Sequence, residues 1–124
     1  MKMRFEIWRE TPSANVFKRM HWAKVRIQRS IWAEEFLLCL RKRITLKPPV
    51  KIKITSYRSR LLDFDNLVGG TKLLVDGLRD AGVIEDDSPK KLIWELPEQF
   101  IVPKDERRTV IELEEIEERK EVGK

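Results

Sequence analysis

One cysteine and one histidine in 124 residues set the first limits. Cys39 alone cannot close a disulfide within the chain, so the expected compartment is a reducing one, the cytoplasm. Its setting, Phe36-Leu37-Leu38-Cys39-Leu40, reads as core packing and not as a catalytic thiol. His21 has no second histidine with which to share a metal, and its neighbours Arg19, Met20 and Trp22 give it a surface or DNA-facing role. No apolar run approaches the roughly 20 residues that cross a bilayer, and the opening residues Lys2, Arg4, Glu6 and Arg9 form no apolar signal segment. The expectation is a soluble cytoplasmic protein with no membrane partner. Repeats and low-complexity segments are also missing.

What the chain has is charge, unevenly placed. Residues 1–60 carry 16 Lys and Arg against 4 Asp and Glu, a balance of +12, whereas residues 61–124 carry 10 against 17, a balance of −7. The overall +5 therefore hides a strong polarity. A basic half of this kind draws phosphate backbones by releasing their counterions, although a solvated, charge-rich surface would have the same composition. With 41% hydrophobic residues, four Trp and five Phe, residues 1–113 read as one compact domain, and 114–124 as a charged, frayed tail.

The pattern of apolar residues predicts an α/β (α+β) fold in β-α-β-α-β-β order, a small mixed sheet with one long and one short helix packed on it. Met3, Phe5 and Ile7 alternate with charged residues as in a half-buried strand. After a turn at Thr11-Pro12-Ser13, the stretch from Asn15 to Arg43 lacks Gly and Pro and predicts one long helix, with Trp22 and Trp32 in the core. Its basic face would hold Arg19, Lys24, Arg26 and Arg29, which with Lys51 and Lys53 are the candidate DNA-backbone contacts. Lys47-Pro48-Pro49 ends the helical pattern, and Val50, Ile52 and Ile54 then alternate as a strand. Gly69-Gly70 reads as flexible, Thr71 as the N-cap of a short helix Lys72 to Ala81, and Gly82 as its left-handed stop followed by Val83. Leu92 to Leu96, closed by Pro97, and Thr109 to Leu113 complete the strands, with Trp8 and Trp94 packing across the sheet.

Against this basic background, Asp63-Phe64-Asp65-Asn66, Lys72 and Glu85-Asp86-Asp87-Ser88 bring acids and a lysine together. Crowded carboxylates repel unless a cation neutralises them, and hard oxygen donors suit Mg²⁺, with Mn²⁺ as a substitute. If the chain is extended at Asp63 and Asp65, both side chains point to one face and reach one ion. Aspartates also cap helices and form turns, and spacing alone leaves that choice open. Asp86 fits a partner to a ligand or a loop cap, and Asn66 fits a side chain that fixes the backbone at Asp65. Gly69-Gly70-Thr71-Lys72 lacks the Walker A arrangement, which excludes an NTPase phosphate loop.

Asp63-Phe64-Asp65-Asn66-Leu67, then Lys72 to Leu78, then Ala81-Gly82-Val83-Ile84-Glu85-Asp86-Asp87-Ser88 resemble, in that order, the signature of the RusA-type Holliday-junction resolvases. That signature is D-x-D-N, a helix opened by lysine, and A-G-hydrophobic-x-x-D-D-S. Pro12-Ser13-Ala14-Asn15 is similar to the family's entry after the first strand. The resemblance implies a homodimeric, Mg²⁺-dependent endonuclease that cuts two strands symmetrically at four-way DNA junctions. It implies that Asp63, Asp65 and Asp87 are catalytic metal ligands and Lys72 the catalytic lysine. The sequence departs from the pattern twice: Lys72 stands seven residues after Asp65 where the family has four, and Pro89 follows D-D-S where Gln is common.

Two rival readings remain from the residues alone: a protein that binds branched DNA without cutting it, and an interaction domain whose charge serves solubility. Scarce asparagine and glutamine beside 38% charged residues also predict heat stability. Thermal unfolding should then lie above the about 45–65 °C range of mesophilic domains, and a midpoint inside it would refute this.

Overall fold

The computed structural model describes residues 1–117. Alternation sets the sheet. Strands β1 (Lys2–Ile7), β2 (Val50–Arg58) and β5 (Arg108–Glu115) each turn an apolar face inward, and β5 lies between the other two, antiparallel to both. Ile111 is opposite Phe5 on one side and Ile54 on the other, and all three are buried. On the opposite face the register places Glu114 between Lys2 and Lys51, and Glu112 between Arg4 and Lys53. Opposite charges directly across a ladder attract, so this face can stay in water while it reinforces the pairing.

The far edge of β2 holds two short parallel strands, β3 (Leu92–Trp94) and β4 (Glu98–Ile101). The first is the expected strand, ended two residues early; the second was not expected, because Pro97 reads as a stop. The proline interrupts the edge and the chain then resumes pairing along the same β2. Trp94 and Trp8 do not pack across the sheet: both are exposed, and the ring of Trp8 instead faces the Arg108 guanidinium at 5.3 Å.

Three helices cover the other face, which gives a mixed α+β fold with one contiguous core from Phe5 to Leu113. The expected long helix is two: α1 (Ala14–Lys18) and α2 (Trp22–Cys39). Between them His21 is extended, and its Nδ1 accepts the Ala23 N–H at 3.2 Å, so it caps α2 and starts it in a new direction. Only Trp32 and Phe36 of α2 are buried, a narrow seam that leaves Trp22 and Cys39 outside the core where the pattern had placed them. Burial and Glu35 raise the Cys39 thiol above its ordinary value, contrary to what a reactive thiolate needs.

Helix α3 (Phe64–Asp80) starts eight residues before the expected Lys72 and runs straight through Gly69-Gly70. Thr71 is thus no cap; it is buried in the helix, with its hydroxyl donating to the Val68 carbonyl at 2.6 Å. The helix ends as expected. Gly82 takes φ +78°, its N–H reaches the Arg79 carbonyl, the Val83 N–H reaches Leu78, and Val83 is fully buried.

The glycines serve packing. A Cβ at Gly70 would fall 1.7 Å from the Pro12 carbonyl oxygen, and one at Gly69 2.5 Å from the Ala14 Cβ, so the loop before α1 lies flush on α3. At the chain's other end, Glu114 and Glu115 belong to β5 and not to a tail, and Glu115 accepts the Lys47 N–H at 2.6 Å. That bond holds the Glu115 carboxyl below its ordinary range. Residues 118–124 of the expected frayed tail lie outside the described residues, and among those described no helix is long and apolar enough to cross a membrane.

Gly70→Ala gives a test of sign. Helix propensity alone would stabilise by about 1 kcal/mol, but backbone stands on the other side of the contact and cannot rotate away. Overpacking of this kind costs about 1–3 kcal/mol. Denaturant unfolding should therefore show a net loss, and a stabilised variant would show that the loop does not dock as described.

Candidate metal and nucleic-acid site

The site begins where β2 ends. Arg58, the last residue of β2, is buried, and burial pulls its guanidinium below the usual value. Its donors are nonetheless used: on the Thr11 carbonyl, on the Arg60 carbonyl at 3.0 Å and on Glu10 Oε1 at 3.2 Å. The side chain therefore fastens the loop before α1 to the sheet and curls the chain toward α3. From β4, Gln99 donates to the Leu62 carbonyl at 2.8 Å and accepts the Leu62 N–H at 2.9 Å. A side-chain amide that satisfies both peptide groups of one residue fixes the residue next to it, here Asp63. Sequence reasoning had found neither Arg58 nor Gln99. An arginine ending a buried strand was a signal for the first; the second sits on a strand too short to read.

Asp63 is the N-cap of α3, but its carboxylate makes no cap hydrogen bond, and Asp65 lies in the first turn. The two are thus set by a helix start and not by extended chain. Both are exposed, and neither has an ion-pair partner within 4.0 Å among the described residues. Asn66 stands in the same helical turn, so no separate turn exists at Asp65 for its amide to fix. Lys72 is exposed and likewise without a carboxylate partner among the described residues. Seven residues at about 100° each fall only about 20° short of two turns, so Lys72 shares the helix face of Asp65, about 10 Å along the axis.

Asp87 is elsewhere. Its Oδ1 lies 3.5 Å from Arg79 Nη1, and Arg79 Nη2 lies 3.6 Å from Asp76, a chain of charges at the C-terminal end of α3. At about 1.5 Å per residue, Arg79 is roughly 20 Å from Asp65 along the axis. Asp86 accepts the Asp87 N–H at 2.8 Å, which caps the loop and holds the Asp86 carboxyl below its ordinary range. The structure therefore places Asp63 and Asp65 at the start of α3, Lys72 at its midpoint and Arg79, the partner of Asp87, in its last turn. Among the described residues, no group of three or more His, Cys, Asp or Glu side chains is placed to hold one ion. As a pair, Asp63 and Asp65 still fit Mg²⁺, which commonly takes one or two carboxylates and keeps several waters.

The candidate DNA contacts divide into two sets. Lys51 lies 3.3 Å from Glu95 and 3.7 Å from Glu114, Lys53 2.7 Å from Glu98, and Arg29 forms a two-pronged pair with Asp80 at 2.5 and 2.6 Å. These partners raise the pKa of all three cations, chiefly by hydrogen bonding. Arg19, Lys24 and Arg26 are exposed and have no carboxylate within 4.0 Å among the described residues. Among these candidates, charge is neutralised on Lys51 and Lys53 of the sheet and on Arg29 of α2, and is open on Arg19, Lys24 and Arg26 around the junction of α1 and α2. No protein-family model matches this chain, and no curated protein matches it.

Open and paired cations should differ in salt dependence. Lys24→Ala is expected to reduce the log-log slope of DNA binding against salt by about one unit. Lys51→Ala should leave the slope near its parent value, because Lys51 already has counterions within the protein. Equal reductions in a titration of duplex DNA would show that the sheet face is also a DNA surface.

Proposed function

We propose that this chain is a metal-dependent endonuclease that cleaves four-way DNA junctions in recombination or repair, in the manner of the RusA-type resolvases that its motifs resemble. The observation that carries the reading is the start of α3: two exposed carboxylates, neither used as a cap nor paired, with Lys72 on the same helix face as Asp65. A capping or turn-forming role would have consumed the Asp63 oxygens, and it does not.

Asp63 and Asp65 would hold Mg²⁺ or its substitute Mn²⁺, whose chemistry is to make water nucleophilic and to neutralise phosphodiester oxygens. Lys72 sets an ammonium over the same strand of DNA, where it opposes charge that grows on the phosphate oxygens. One well-placed donor of this kind is worth about 3 kcal/mol. Gln99 and Arg58 work indirectly, by keeping the start of α3 rigid. Arg19, Lys24 and Arg26 are proposed to take the DNA backbone. A two-fold homodimer would match the approximate two-fold symmetry of a four-way junction and present one site to each of two opposed strands. The proposed location is the cytoplasm.

One observation favours a second reading. Arg79 engages Asp87, the third acid of the resembled signature, and among the described residues Asp87 forms no three-ligand group with Asp63 and Asp65, as expected of a protein that binds branched DNA without cutting it. Incubation of a labelled synthetic junction with Mg²⁺, beside linear duplex, separates the two. Paired symmetric cuts are expected, reduced about 100-fold or more in Asp65→Asn. Tight junction binding without cuts in Mg²⁺ or Mn²⁺ would leave only the binding protein.

A further inference from the structure

Two clusters of aromatic side chains reach the surface, and they differ in the charge around them. On the open face of the sheet, Arg108 lies 4.0 Å from the Tyr57 ring and 5.3 Å from Trp8, and Tyr57 stacks on Phe100 at 5.7 Å. Glu6 pairs with the Arg108 guanidinium and Glu98 with Lys53, so the cations of this face already have carboxylate partners. A polyanion finds no unpaired cation among these.

The elbow between α1 and α2 is different. Trp22, the first residue of α2, is 64% exposed. The His21 ring lies 5.4 Å from it, and the Arg26 guanidinium 5.0 Å from the indole centroid. Lys18, Arg19 and Lys24 belong to the same elbow, with no carboxylate within 4.0 Å among the described residues. A large indole left in water costs solvation unless a partner covers it, and four open cations select a polyanionic partner. Indole faces accept any nucleobase, and the cations would track the phosphates on either side. The groove that Trp22 lines continues past Arg26 and Arg29 to Leu73, Asp76 and Asp80 of α3.

The geometry points to a stacking ledge for unpaired nucleic acid: Trp22 takes a base that has left its duplex stack, while Lys18, Arg19 and Lys24 hold the flanking backbone. Unpaired bases occur in single strands and at a branch point opened by a bound protein. The ledge rests on the junction reading only for where such a base comes from; affinity for a plain single strand does not depend on it.

Three labelled probes at one salt concentration test the ledge: oligothymidine, a duplex of equal length and a four-way junction. Trp22→Ala should weaken oligothymidine and junction binding about tenfold and duplex binding less than about twofold, with Trp22→Phe close to the parent. No loss, or an equal loss on all three probes, overturns the ledge. A measurement on the parent protein avoids any question of folding: 5-iodouracil at the branch point or in the oligothymidine should cross-link to Trp22, and cross-links confined to Trp8, Tyr57 or Trp94 would overturn the proposal. Trp22-dependent binding in a protein that never cuts supports the ledge and removes the nuclease reading. Cutting with Trp22-independent binding does the reverse.

Discussion

The Pro12 carbonyl rests on the backbone of α3 at Gly70, and the arrangement of α1, the elbow at His21 and the start of α3 depends on that contact. Two helical glycines are unfavourable by about 1 kcal/mol each relative to alanine, and the helix tolerates them because nothing larger admits the loop. Arg58 makes the docking possible from the other side. Burying a guanidinium is costly unless its donors are satisfied, and Thr11, Arg60 and Glu10 satisfy them with groups that all lie beside the loop's path. The loop so held sets the direction of α1, hence the elbow at His21, hence the position of Trp22 and the open cations. The same close approach seats the first turns of α3, where Asp63 and Asp65 stand.

Charge obeys the same logic of folding back. The basic first half and acidic second half do not become two poles, because β5 inserts between β1 and β2 and lays Glu112 and Glu114 among their lysines and arginine. Glu95 and Glu98, carried by the edge segment, complete the neutralisation of Lys51 and Lys53. One cluster of cations that no acidic strand reaches lies at the junction of α1 and α2, on Lys18, Arg19, Lys24 and Arg26. A polarity visible in sequence thus survives as a local surface and not as a property of halves.

The period-two strands and the Gly82 stop were legible because each is determined within a few residues: alternation decides a face, and a left-handed residue after a helix is usually glycine. The elements that were not legible are decided by distant partners. Gly69-Gly70 reads as a break by propensity, yet tertiary contact with Pro12 and Ala14 keeps it helical. The break that does occur, at Arg19–His21, contains no glycine or proline and is stabilised by a histidine cap that few sequences would announce. Trp22 and Cys39 carry apolar side chains at helical spacing, but α2 buries so narrow a seam that periodicity placed them in a core they do not reach. At the site, the residue types at Asp63, Asp65 and Lys72 were readable, whereas their relation to Asp87 depends on an arginine, Arg79, that no pattern singled out.

The three residues that separate this chain from the spacing it resembles have a simple helical consequence. If Val68-Gly69-Gly70 is an insertion inside a helix, it rotates the remainder of that helix by about 300°, nearly a full turn, and advances it by about 4.5 Å. Lysine at the fourth or at the seventh position after Asp65 therefore faces the same side, and the ammonium of a long, flexible side chain can span most of the difference. Residues 68–70 also contain the two glycines on which the loop before α1 docks. Residues 68–70 thus bear on two things in this structure: Lys72 stays on the helix face of Asp65, and the two glycines admit the loop that leads into the elbow at His21.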